Sequence, residues 1–304
     1  MRLPPESGSI AAPASRLRSF LVIFNPTAGH RRQLYLKQVL NRLTALGCRI
    51  EMRETTCRGD AEQFCRNLQP GDYDGVLIAG GDGTINEAIN GLQHTDIPVG
   101  IIPTGTANVM ACELNMPQKP EAVADMLASA APRMVHTGSL NGRKFIMMAG
   151  AGFDAHVVAA VTPALKRSLR KMAYVLKSLT LLFRFNYPPY QITIDGRDHS
   201  AASVVIANGH YYGGKYVCAP EAKLAEPDLH VCLFRKQGRL AAATYALWLL
   251  IGRLHKRHDI DILRGRDIRL SGPDGDPVQA DGDIAGHLPV HIIAAAGSFL
   301  ALAE

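Results

Sequence analysis

No two of the six cysteines (Cys48, Cys57, Cys65, Cys112, Cys218, Cys232) form a Cys-x-x-Cys pair. Their spread argues against a disulfide scaffold and a zinc knuckle, and suits a reducing cytoplasm. No apolar run is long enough to cross a bilayer. The longest, Leu240–Gly252, has 13 residues, and a spanning helix needs roughly 20. Residues 1–18 lack the apolar segment of a signal peptide and read as a disordered tail. Aromatics are scarce at 6%. The basic stretches carry Leu rather than interleaved aromatics, which counts against nucleic acid as a partner.

Apolar residues and positive charge are plentiful. The 304 residues are 47% hydrophobic and 20% charged, ordinary for globular cores and long enough for two domains. The net charge of +6 favours a negatively charged partner: nucleotide, nucleic acid or anionic membrane.

Up to about residue 131, strand and helix patterns alternate. Phe20–Phe24 is apolar throughout, as a buried strand is, and ends in the turn Asn25-Pro26-Thr27-Ala28-Gly29. Helical spacing from Leu34 to Leu46 is stopped by Gly47. Strands follow at 49–54, 74–79 and 98–102, and helices at 59–68, 84–92, 106–114 and 120–129. This rhythm predicts an α/β fold with an N-terminal parallel sheet, covering 19–131. Segment 297–304 is a candidate to return to it. Beyond that point, short strand patterns at 133–140, 144–149, 190–195, 202–207, 229–234, 267–271 and 289–296 predict a mostly antiparallel, β-rich second domain over 132–296. Helical stretches at 163–185 and 239–257 interrupt it.

The chain is organised around Gly80-Gly81-Asp82-Gly83-Thr84, between an apolar strand and a helical pattern. Three glycines in four positions let backbone approach a ligand closely. The helix start adds N–H groups and positive partial charge, which suits phosphate. Asp82 would repel phosphates unless it holds a metal ion or a proton, so a metal–nucleotide complex is the economical reading. Thr84 and Glu87 read as a T-x-x-E capping box. The turns Asn25–Gly29 and Gly105-Thr106-Ala107-Asn108 are weak signals singly. The parallel topology puts all three at the C-terminal edge of the sheet, where ligands bind.

Asn-Pro-x-Ala-Gly, then Gly-Gly-Asp-Gly-Thr, then Gly-Thr-Ala-Asn resembles the catalytic domain of the diacylglycerol kinase family. That family includes soluble bacterial lipid kinases and sphingosine and ceramide kinases. Asn208-Gly209, Tyr212-Gly213-Gly214, Ala219–Ala222 and Ala280-Asp281-Gly282-Asp283 resemble its later segments. The resemblance runs from residue 19 to about 303, although Gly-Gly-Asp-Gly-Thr alone also occurs in NAD kinases.

The resemblance implies an ATP- and Mg²⁺-dependent kinase of a lipid hydroxyl, diacylglycerol first, with the nucleotide between the two domains. Asn25, Gly29, Thr55, Gly80, Gly81, Asp82, Gly83, Thr84, Ile85, Asn86 and Thr106 would line the nucleotide site. Asp82 would orient or neutralise around the metal. Asp283 stands where the family usually has the Glu of D-G-E, implied to be the general base. It is one methylene shorter. Either the backbone compensates, or activity is reduced, or Asp281 takes more of the role. A structural Mg²⁺ site would fall on the Glu226 carboxylate and the carbonyls of Lys223 and Asp228, with Pro227 in place of glycine. Without the resemblance, Asp281-Gly282 reads as a hairpin turn and 223–229 as a solvated loop.

Two motifs are rejected. Gly209–Lys215 mimics a Walker A loop, but Tyr216 stands where Ser or Thr must hold Mg²⁺. Gly150-x-Gly152-x-x-Ala155 mimics a dinucleotide fingerprint but lacks its later acid. His255 and His258 have no third ligand nearby and read as surface.

Residues 164–184 hold Lys166, Arg167, Arg170, Lys171, Lys177 and Arg184 and no acid. Leu165, Leu169, Met172, Val175, Leu176, Leu179 and Leu182 lie between them, a pattern that suits a helix on anionic lipid. Residues 239–257 repeat it with Arg253, Lys256 and Arg257. A core helix with a solvated basic face is the alternative for each. The sequence thus points to a cytoplasmic kinase held peripherally at the inner face of the membrane. Three alternatives stay open: a kinase of another lipid (sphingoid base, ceramide, phosphatidylglycerol), an NAD kinase-like enzyme, and a non-catalytic lipid- or nucleotide-binding protein. Oligomeric state, a homodimer included, is not legible.

Overall fold

The computed structural model describes residues 19–28, 32–162 and 171–303. Gly29, the 1–18 tail and the 163–170 part of the basic stretch lie outside them. The first half runs β1 (Ser19–Phe24), α1 (Gln33–Ala45), β2 (Arg49–Glu54), α2 (Asp60–Arg66), β3 (Gly75–Gly80), α3 (Asp82–Gly91), β4 (Val99–Pro103), α4 (Val109–Glu113) and α5 (Pro120–Ser129). The second runs β5 (Pro132–Leu140), β6 (Arg143–Phe145), β7 (Met148–Ala151), α6 (Phe153–Ala160), α7 (Lys171–Arg184), β8 (Tyr190–Ile194), β9 (Arg197–Ala201), β10 (Ser203–Ala207), β11 (Tyr211–Tyr212), β12 (Tyr216–Val217) and β13 (Leu229–Phe234). It finishes with α8 (Arg239–Leu250), β14 (Ile260–Gly265), β15 (Asp267–Ser271), β16 (Pro277–Ala280), β17 (Asp283–His287) and β18 (Val290–Leu302).

Alternation along β1 shows why its sheet is covered on both faces. Phe20, Val22 and Phe24 pack with Leu36, Val39, Leu43 and Leu127 of α1 and α5. Leu21 and Ile23 pack with Ala61, Cys65, Ile85 and Ile89 of α2 and α3. Each such side chain contributes about 1.5–3 kcal/mol by leaving water, so an all-apolar strand is stable only between two helical layers.

Strands β2, β1, β3 and β4 lie parallel in that order. The chain therefore winds to one side of β1 and then to the other. The switch falls between β1 and β3, the place in open parallel sheets where a crevice forms beyond the strand ends. β18 adds to β4 in parallel through Ala301↔Val99. Beyond it, β15, β8, β9, β5 and β6 continue the sheet antiparallel. A register shift between Ala295 and Phe299 lets this one strand serve both halves. An antiparallel second sheet, β14-β13-β10-β7-β16-β17, faces the first. Tyr190, Ile192, Val204, Ile206, Val231, Leu233, Ile268 and Ile292 fill the space between.

The fold is the expected α/β arrangement with a second, antiparallel β-rich part. Local boundaries differ for physical reasons. The strand predicted at 144–149 is broken, because the amides of Ile146 and Met147 donate to Asp281 instead of a ladder. Helix α3 starts at Asp82, two residues early, with Gly81 as its N-cap. The T-x-x-E capping box is therefore wrong: the Thr84 amide donates to the Gly81 carbonyl, and Glu87 accepts from the Gly59 amide. Helix α6 and the short strands β9, β14, β16 and β17 carried no clear pattern.

Candidate active site

The three N-terminal turns meet, joined by hydrogen bonds. Asn25 Nδ2 donates to the Thr84 hydroxyl at 3.0 Å, fastening the end of β1 to the first turn of α3. Thr104 and Gly105 donate to the Gly80 carbonyl at 3.2 and 3.1 Å, fastening the end of β4 to the same place. Thr55 is buried, its amide on the Phe24 carbonyl. Thr106 is exposed on its turn, and Ile85 points into the core. A Cβ on Gly83 would meet nothing within 4 Å, so this part of the turn is open. At the start of α3 the Thr84 amide is taken by the Gly81 carbonyl, which leaves the Asp82 and Gly83 amides without an acceptor in the helix backbone.

Gly105 is where glycine is obligatory. A Cβ there would stand 2.4 Å from the Gly81 Cα and 2.7 Å from Asn108 Oδ1. Gly105→Ala is expected to weaken binding of the nucleotide that the motifs imply by about tenfold, ~1.4 kcal/mol, because backbone rather than a side chain must move. Titration calorimetry with an unchanged circular dichroism spectrum checks it. Thr104 and Asn108, which the sequence reading did not put among the site residues, border the same turn. Both are buried, with Thr104 Oγ1 and Asn108 Oδ1 lacking a hydrogen-bond partner.

Asp82 has a partner the sequence did not reveal. Its Oδ1 accepts from the Met110 amide at 3.1 Å, at the start of α4. Burial pushes its pKa up, and the amides around residues 108–110 offset this in part. Burial thus makes its ionised form costlier than that of an exposed aspartate.

The far half brings its acids to the same side by a tight hairpin. Asp281 and Gly282, with φ +49° and +82°, turn β16 into β17, the two positive angles of a type I′ turn. The Asp281 carboxylate sinks inward. It accepts from the amides of Ile146 (2.7 Å), Met147 (2.8 Å) and Met148 (3.1 Å), and from Asn86 Nδ2 (2.8 Å) on α3. Four donors leave this acid as a bracket between the halves. Asp283 points the other way, half-exposed, with Oδ2 at 3.2 Å from Arg58. Arg58 lies in the loop after β2, on the edge that carries the three turns.

Other polar contacts continue the bracket. Gln279 accepts from the Gly282 amide and donates to Asp154, which also accepts from Tyr212. Burial pushes the Asp154 pKa up. Glu113, at the end of α4, accepts from His210 Nδ1 at 2.7 Å and from the amides of His210 and Tyr211. Gly209 allows this, since a Cβ there would lie 2.9 Å from the Glu113 carboxyl carbon. The Walker-like segment is thus a hairpin, β11–β12, docked on α4. Lone acids far apart in sequence gave no signal of these pairings.

In the expected structural Mg²⁺ site, the Glu226 carboxylate and the Lys223 carbonyl have other partners. Glu226 Oε1 lies 2.9 Å from Lys223 Nζ, and Oε2 lies 3.6 Å from Arg264. The Lys223 hydrogen bond, with Arg264 nearby, holds the Glu226 carboxyl below its usual range. The Lys223 carbonyl accepts the Glu226 amide, and the Asp228 carboxylate pairs with Arg266 at 2.6 Å. Lys223 and Arg264 thus compete with a divalent ion for the one carboxylate of the expected set. The thermal midpoint is expected to be the same in Mg²⁺ and in EDTA by scanning calorimetry. A marked loss in EDTA would restore the metal.

Comparison with known proteins agrees with both halves. The family profile for the diacylglycerol kinase catalytic domain matches residues 19–140. A profile for the YegS C-terminal NAD kinase beta sandwich-like domain matches 147–302. Diacylglycerol kinase of Bacillus subtilis is 28% identical over 274 residues, 88% of this chain and 90% of that one. Diacylglycerol kinase of Mycobacterium tuberculosis H37Rv is 30% identical over 230 residues, 73% and 74% of the two chains. A crystal structure described as a diacylglycerol kinase from Bacillus anthracis shares the fold, with a TM-score of 0.73 at 22% identity over 96% of this chain and 98% of that one. The chain belongs to the diacylglycerol kinase family of ATP-using lipid kinases.

Proposed function

We propose that the chain transfers the γ-phosphate of ATP to the hydroxyl of diacylglycerol, giving phosphatidic acid. The observation that carries this is the 3.2 Å meeting of Asp283 with Arg58. It sets a half-exposed carboxylate from the β-rich half against the edge of the α/β half that carries the three turns. Two relatives of this chain are themselves named diacylglycerol kinase. ATP would be held by residues 19–131, which β18 rejoins, and the lipid by 132–296.

The open turn at Gly83 and the first amides of α3 would hold the phosphates, with Asn25 and Thr84 fixing the turn's position. Among the described residues no group of three or more acidic, His or Cys side chains could hold a metal alone. A Mg²⁺ ion would therefore be carried by the nucleotide, with Asp82 as its protein carboxylate. When bound, that ion would neutralise phosphate charge. Arg58 would move to the phosphates and leave Asp283 to the substrate. Asp283 would then take the hydroxyl proton as the lipid oxygen bonds to the γ-phosphorus. The bond to the β–γ bridging oxygen breaks, and ADP leaves. Asp281 fixes the turn that carries Asp283. The enzyme would work at the inner face of the membrane, as a peripheral protein. No described helix is long and apolar enough to cross one.

Transfer from γ-labelled ATP to diacylglycerol, sphingosine, ceramide, phosphatidylglycerol and NAD tests this reading. Label in phosphatidic acid above all others is expected. Label in NAD alone would overturn it.

A further inference from the structure

Helices α7 and α8 lie against each other, with the Arg239 guanidinium 5.8 Å from the centre of the Phe183 ring. Each turns an apolar stripe to water. On α7 it is Met172, Val175, Leu176, Leu179 and Phe183, the last 71% exposed. Spacings of three and four place these on one face. On α8 it is Leu240, Leu247 and Leu250, continued by Ile251, with Leu240 80% exposed. A helix of a globular protein normally turns such a stripe to the core. Two adjacent stripes facing outward mark an interaction surface.

The surrounding charge says what covers it. Residues 155–194 and 229–258 contain no Asp or Glu. Arg184, Arg239, Arg253 and Lys256 are exposed around the stripes. A second copy of this chain would set the same cations against each other. A bilayer with anionic headgroups complements both features, acyl chains to the stripes and headgroups to the cations. We infer that α7 and α8 together form the face by which this protein sits on an anionic bilayer. The inference rests on the lipid-kinase reading for its purpose. The binding test needs neither ATP nor substrate, so either can fail without the other.

The full chain is sedimented with vesicles of phosphatidylcholine alone and of phosphatidylcholine with about one-third phosphatidylglycerol. Wild type is expected to bind the anionic vesicles, less so as salt rises. The double variant Phe183→Glu, Leu247→Glu is expected to bind at least about tenfold more weakly. Its circular dichroism should be unchanged, and so should its transfer rate to a water-soluble short-chain diacylglycerol. Equal vesicle binding by wild type and variant would overturn the inference. So would a wild type that binds neither vesicle, or a wild-type dimer that the double variant splits.

Discussion

Asp283→Asn is expected to slow phosphoryl transfer about 10²–10⁴-fold while ATP affinity stays within about twofold. Asparagine keeps the shape of the side chain and removes its basicity. Asp283 opens β17 at a sheet edge and is half-exposed, so the fold does not depend on its charge. The second variant, Asp283→Glu, restores the acid usual in the family and adds the missing methylene. It is expected to be at least as active as wild type. Steady-state kinetics that separate kcat from the KM for ATP check both. An Asn variant with wild-type kcat would remove Asp283 from the reaction.

Asp281→Ala is expected to act on stability instead, costing about 3–5 kcal/mol, because it strands buried donors rather than losing a single bond. Three backbone amides and the Asn86 side chain converge on that carboxylate. Asp281→Asn is expected to rescue little, since its own NH₂ would face donors on one side. Denaturant unfolding of the two variants measures the loss. A cost under about 1 kcal/mol for Ala would mean that water or neighbours replace the bracket. Destabilisation by Asp281 variants, set beside loss of kcat alone at Asp283, would separate holding the turn from taking the proton.

Apolar run and glycine turn were enough to place β1, β3 and the turns at their ends. Phe20–Phe24 and Val76–Ala79 are buried on both faces, and such strands announce themselves by having no polar alternation. Strand order was not legible, because nothing in a strand names its neighbour. The switch between β1 and β3, which explains why Asn25 meets Thr84, needed coordinates. Edge strands such as Arg197–Ala201 and Asp283–His287 are short and half-polar, so they carried little signal. Sequence motifs pointed to Asp82, Asp281 and Asp283 as one set. Geometry gives them three different surroundings: a helix start, a cage of four donors and an exposed arginine. Arg58 could not have been paired with Asp283 from sequence, being 225 residues away. At Glu226 the structure adds what spacing could not show, the cations of Lys223 and Arg264 on its carboxylate.

The most direct measurement is the initial rate of ³²P transfer from γ-labelled ATP to diacylglycerol in anionic vesicles, for wild type, Asp82→Ala and Asp283→Ala. The account predicts labelled phosphatidic acid from wild type and at least about a hundredfold less from each variant. Transfer that survives undiminished in both variants, or a wild type that binds ATP and labels no lipid, would contradict it.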